Sequence, residues 1–371
     1  PRGPGTGGRP VSSDPTIFDA EVQASFAVTT RYFVNSEGAR LRTVQSIAAV
    51  HITAYSRAKD GMIVDQSREF YAPTARALPK LAALIDAARG VKKDLAALRV
   101  APVMPPYTGP AILEPAATGV FFHEVLGHRL EGHRQDKRQE GQTFRAHLGK
   151  KILPSFLSVI DDPTLKVFHG TPLNGFYRFD DEGVPAQRVV LVDRGVLRRF
   201  LMSRRPVEGF KRSNGHGRAA STRRPVARMG NLIVQAHRAV SMKRLREMLL
   251  AEVKRQKKPY GLIVRDMTGG RTNTSSYGFQ AFKGLARMVY TVDAKTGVER
   301  LVRGVDIVGT PLASLGKVMA AGQKERVFNG YCGAESGFVP VSAIGPATLF
   351  REIELQRTGR AKTRGPILRI P

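Results

Sequence analysis

The chain has 371 residues, a formal net charge of +28 and 42 % hydrophobic residues. That share is too apolar for a disordered chain, and no run of 18 apolar residues encodes a transmembrane helix. The single Cys excludes an internal disulfide and an all-cysteine metal cluster, while the charge asks for an acidic partner: nucleic acid, anionic lipid or an acidic peptide.

Residue 1 is Pro, and the Gly/Pro-rich stretch 1–14 reads as an unstructured lead-in. No basic-then-apolar targeting segment follows it, and the expected location is cytoplasmic. Phe26 to Phe33 reads as a strand, Asn35 to Gly38 as a turn, and a second extended run starts at Ala39. Ile47 to Tyr55 alternates and completes an antiparallel meander. Leu78, Leu81, Leu84, Ile85 and Ala88 recur at helical spacing until Gly90 interrupts them. Four prolines and a glycine between Val100 and Pro110 mark the best domain boundary. Ala116 to Leu130 predicts a helix carrying the sequence HEVLGH. Arg188 to Leu201 reads as strand, Asp-Arg-Gly turn, strand. Ser241 caps a predicted helix to about Gln256, with Leu245, Met248, Leu249 and Val253 as its apolar stripe. Leu285 to Val308 holds two more strands around the turn 293–297. Runs of strands with few helices, and 37 Gly and 23 Pro, give an α+β chain.

The sharpest chemical feature is His123-Glu124-Val125-Leu126-Gly127-His128. Residues four apart share a helix face, but residues five apart are turned about 140° from each other. Both histidines reach one metal only if the helix is locally widened or ends between them, and Gly127 permits either. A catalytic zinc site needs a third ligand and an open position. Glu124, beside a ligand, suits a general base acting on activated water. Cys332, flanked by glycines, reads either as a small buried hydrophobe or as the thiolate completing a His-His-Cys set. Gly215 to Ala220 matches a dinucleotide fingerprint, but no strand precedes it, so it is set aside.

Four blocks in order give the chain a wider resemblance. They are HEVLGH at 123–128, DDEGVPAQ at 180–187 with the strand pair after it, NGHGRAASTRRPVARMGN at 214–231 and CGAESGFVPVSAIGPATL at 332–349. From about Tyr107 to Leu355 the chain resembles the TldD/PmbA family of metallopeptidases. The resemblance implies zinc bound by His123, His128 and Cys332, with Glu124 as general base. It implies a partial amino-terminal α/β domain over 1–106 and a β-rich, antiparallel, barrel-like catalytic domain over 107–371. Members of the family act on unfolded or small peptides as two-subunit assemblies, which makes a homodimer, or a heterodimer with a family partner subunit, the expectation here. The expected reaction is peptide-bond hydrolysis by activated water, with Glu124 taking the proton and returning it to the leaving amine. The usual Lys-x-Gly-Gln after Cys-Gly is replaced by Ala334-Glu335-Ser336-Gly337. His133, five residues beyond His128, competes with Cys332 as third ligand.

Between Arg194 and Arg228 eleven basic residues face one acid, Glu208, a local charge of +10. Three readings compete: arginines lining a cleft for an acidic peptide, a phosphate-binding nucleic-acid surface, and a solvated basic face. Sparse aromatics (Phe200 and Phe210) weigh against a base-stacking platform. A non-catalytic nucleic-acid-binding or assembly-partner protein of the same fold is therefore the alternative to the peptidase.

Overall fold

The structure is a computed structural model describing residues 14–136, 141–278 and 280–358. The predicted lead-in 1–14 falls almost wholly outside these residues. The chain divides into two compact units, residues 14–27 with 46–102, and residues 28–45 with 103–358.

The first unit is built on a three-stranded sheet in sequence order, Ile17–Val34, Arg40–Arg57 and Ile63–Ala72, the last two antiparallel. The two extended runs expected from Ala39 and Ile47 are one strand. The third strand was not anticipated, because fully buried Gln66 breaks its apolar alternation. Helix α1, Leu81–Val100, packs Val91, Leu95 and Leu98 inward and contacts the third strand. It runs straight through Gly90, where the sequence reading stopped it. One glycine only costs a helix about 1 kcal/mol, and the buried face beyond it outweighs that.

The second unit takes in the hairpin tip, where Asn35 Oδ1 accepts from the Glu37 and Ala39 amides and Gly38 holds φ +89°. Its main sheet runs Glu299–Val302, Phe282–Asp293, Tyr260–Thr272, Tyr107–Leu113, Gly337–Arg357, Asn231–Ala236, Leu157–Asp161, Val189–Asp193 and Val196–Leu197. This corrects two details of the expectation. The sheet is mixed, since Tyr107–Leu113 pairs parallel with Tyr260–Thr272, and Asn231–Ala236 parallel with Gly337–Arg357. It is also an open path rather than a closed barrel, although Val305–Gly309 bridges Phe282–Asp293 to Gly337–Arg357 and rings five strands together. The α+β class stands.

Two helices cover this sheet. Helix α2, Pro115–Val125, opens on a proline at its first position and is buried from Ala117 onward. A helix apolar all round belongs inside. Phe121 meets Phe350 and Phe282 edge-to-face, with ring centroids 4.9 and 5.3 Å apart. Gly119 lets the helix approach the strand beneath: a Cβ there would lie 2.8 Å from the Ala343 carbonyl oxygen. Helix α3, Met242–Arg255, starts as expected, with Ser241 Oγ accepting from the Arg244 amide at 3.1 Å. Leu245, Leu249 and Val253 pack on Ile112, Ile263 and Leu349. Among the described residues, no helix is long and apolar enough to cross a membrane.

Candidate metal centre

The spacing problem posed by the two histidines is solved by ending the helix. The bond that closes α2 runs from the Leu126 amide to the Phe122 carbonyl. Leu126 caps that helix at φ −115°, and Gly127–Leu130 follows as a 3₁₀ turn. The predicted helix to Leu130 is thus two segments, and His123 and His128 sit on different ones. Gly127 does not serve through a positive φ. It serves through space, because a Cβ would collide with the Met229 sulfur and come within 3.3 Å of Leu232 Cδ2.

Cys332 arrives from the strand Val318–Ala334, paired antiparallel with Gly337–Arg357. Its Sγ lies 3.2 Å from His123 Nε2 and 3.3 Å from His128 Nε2. The three donor atoms all fall within 4.8 Å of one another, and all three residues are buried. Tetrahedral zinc with ordinary Zn–N and Zn–S bonds places sulfur and nitrogen about 3.6 Å apart. The two sulfur–nitrogen separations are therefore within a few tenths of an ångström of that arrangement, and a cation of that preference suits the donor set. Burial alone would keep the Cys332 thiol protonated, but His128 and His123 outweigh it and pull it well below its usual value. That favours the thiolate, the form that binds metal.

His128 is oriented from behind. Its Nδ1 lies 3.1 Å from Glu131 Oε1, and Glu131 is fully buried. With the carboxylate accepting, the proton sits on Nδ1 and the Nε2 lone pair faces the site. Arg134 Nε donates to the other Glu131 oxygen at 2.8 Å. Burial raises the Glu131 carboxyl, but His128 and Arg134 outweigh burial and hold it below the usual range. Sequence reading missed Glu131, whose three-residue distance from His128 was the available signal.

His133 does not join the cluster. Its Nε2 bonds to Glu335 Oε1, and Arg134 Nη2 reaches the other Glu335 oxygen at 3.0 Å. Glu335 is one of the residues that depart from the family block, so the departure supplies the partner of His133.

Glu124 is 8 % exposed, and no described residue hydrogen-bonds its carboxylate. It lies against Gly270, where a Cβ would overlap its Cγ. The pairing of that strand slips between Met267 and Gly270, the kind of irregularity that re-aims a strand beside a site. Arg129 holds the neighbouring turn, donating from Nη1 to the Glu124 carbonyl at 3.2 Å and from Nη2 to the Asn273 carbonyl at 2.9 Å. Burial, then Arg134, lowers its guanidinium to about 10.

The basic stretch is not one face. Arg218 and Arg228 are buried, Arg218 donating to the Met229 carbonyl at 2.6 Å, while the other nine basic residues are exposed. Arg204 pairs with Glu37, and Arg205 with Asp136 at 3.0 Å.

A mixed sheet around a buried helix, with His-His-Cys donors and a free carboxylate beside them, defines a metallopeptidase-like centre. Residues 106–357 match the family described as PmbA/TldA metallopeptidase C-terminal domain, and the chain belongs to that family. It is 32 % identical over 242 residues to a metalloprotease of Archaeoglobus fulgidus, covering 65 % of this chain and 51 % of the relative. It is 25 % identical to a zinc metalloprotease TldD homolog of Saccharolobus solfataricus, covering 66 % and 51 %. The chain thus spans about half the length of these curated relatives. In fold it is similar to TldE from Thermococcus kodakarensis, with a TM-score of 0.65 and 16 % identity, covering 89 % of this chain and 67 % of that one.

Proposed function

We propose that the chain is a zinc-dependent peptidase hydrolysing unfolded or small peptides, with His123, His128 and Cys332 as the metal ligands and Glu124 as general base. The convergence of the three donor atoms within 4.8 Å, one of them from a strand some 200 residues away, carries this reading. The Saccharolobus relative, named a zinc metalloprotease, supports the choice of metal. Zinc bound there supplies Lewis-acid activation of water and of the scissile carbonyl.

The chain's own residues do the rest. Cys332 and the two imidazoles fix the donor set, and Glu131 keeps His128 in the tautomer that presents Nε2. Glu124, with no described residue on its carboxylate, is free to take the proton of the attacking water and hand it to the leaving amine. Its place against Gly270 sets the direction from which it reaches the substrate. A second family subunit, identical or not, belongs to the same proposal, and the fold it shares with TldE is its support.

The test combines metal analysis with cleavage of a casein-like unfolded substrate. Wild type and His133→Ala should each hold about one zinc per chain, Cys332→Ala should hold none, and Glu124→Gln should keep zinc while losing at least about 100-fold in rate. A folded wild type without zinc, or Glu124→Gln cleaving like wild type, would sink the reading.

A further inference from the structure

The ligands come from two distant parts of the chain, the histidines from 115–130 and Cys332 from the last hairpin. Arg228 lies between them. It heads the fully buried side chains in volume. Its Nη2 donates to the Cys332 carbonyl at 2.6 Å. Its Nη1 donates to Ser336 Oγ at 2.8 Å and to the Gly337 carbonyl at 3.0 Å. Its Nε stands 3.5 Å from Glu131 Oε1, the oxygen that also faces His128 Nδ1. One guanidinium therefore touches the backbone of one ligand and the carboxylate behind another.

A buried permanent charge is tolerated only when it is paired and hydrogen-bonded. Here both requirements are met by parts of the metal centre. The planar fork matters: its two terminal nitrogens donate to the hairpin, while Nε is within ion-pair distance of Glu131 without a hydrogen bond to it. Arg228 thus bridges the turn that carries His128, by an ion pair to Glu131, and the strand that carries Cys332, by hydrogen bonds.

We propose that Arg228 is a positioning residue of the metal centre, acting with Glu131 as one clamp that sets metal affinity by holding Cys332 and His128 in register. The proposal rests on the reading of His123, His128 and Cys332 as ligands.

The test measures zinc dissociation constants by competition with a chromophoric chelator for wild type, Arg228→Lys, Glu131→Gln and the double variant. Cobalt(II) absorption in the thiolate-to-metal band and the melting temperature of the metal-free protein are read alongside. Each single variant should bind zinc about 10–100-fold more weakly. The double variant should be no more than about threefold weaker than the weaker single, because both changes release the same clamp. Arg228→Lys should keep a thiolate band displaced from that of wild type. An arginine with a merely structural role would lower the metal-free melting temperature and leave the zinc constant and the cobalt band unmoved, which overturns the proposal. Losses that multiply in the double variant overturn it too. If Arg228→Lys does not fold, Glu131→Gln decides alone, and a zinc constant within about threefold of wild type overturns the clamp. Wild type that binds no zinc defeats the metal reading itself, whereas zinc-binding wild type with indifferent variants defeats only this inference.

Discussion

Replacing Gly270 by alanine tests the placement of Glu124 without touching any metal ligand. The added methyl would overlap Glu124 Cγ, with Cδ at 2.9 Å and the Lys283 carbonyl oxygen at 3.0 Å. Carbon atoms pack comfortably at about 3.5–4.0 Å, so the Glu124 side chain must retreat by about 1 Å. The methyl cannot yield instead, because the Lys283 backbone stands close to it as well. A shift of about 1 Å in a catalytic group costs on the order of 100-fold in rate, about 2.7 kcal/mol on the barrier. Overpacking should cost the fold about 1–2 kcal/mol, a fall of about 2–4 °C in Tm for a unit of this size. The expected result is kcat/KM down about 100-fold on an unfolded substrate, with one zinc per chain retained. Undiminished turnover in a folded, zinc-loaded variant would refute the reasoning, and so would loss of zinc together with activity.

Two further predictions address stability. Gly90 lies inside α1 with open space where a Cβ would stand, so Gly90→Ala should stabilise the first unit by about 0.5–1 kcal/mol. A urea midpoint that does not rise, at unchanged slope, would contradict this. At Glu335, burial raises the carboxyl, but the His133 hydrogen bond and Arg134 outweigh it and lower it to about 2 from 4.5. A depressed carboxyl contributes stability that is present above its unfolded value of 4.5 and lost as pH falls through about 2. Its side chain is 44 % exposed. Discounted for that exposure, Glu335→Gln should destabilise by about 1–2 kcal/mol at pH 6 and by progressively less below pH 4.5. An equal difference at pH 6 and pH 3 would count against the ion pair.

What the sequence disclosed was local. The stripe Leu245, Met248, Leu249 and Val253 behind Ser241 located α3 to within a residue or two. The spacing of His123 and His128 demanded a widened or broken helix, and the break is there at Leu126. Cys332 was within reach because its block stood in a recognisable order. Glu131 and Arg228 were not, because the contacts that join them to each other and to Cys332 span 97 and 104 residues, and no periodicity records such distances. The parallel pairings of Tyr107–Leu113 and Asn231–Ala236 were hidden for the same reason: register between distant strands is set by tertiary packing. Gly127 was noticed for its backbone freedom, yet it is needed for the room that Met229 occupies.

Cys332 lies 209 residues beyond His123 and 204 beyond His128. A cross-link closing a loop of that size removes about 5 kcal/mol of unfolded-chain freedom, so a cation held by these three side chains staples the middle of the chain to its last hairpin. The same distance orders events during synthesis. Two of the three proposed donors and the proposed base are synthesised together, and the third donor follows only after some 200 further residues. On the proposed reading, a nascent chain holds no complete centre until the hairpin that bears Cys332 has folded back onto the buried helix.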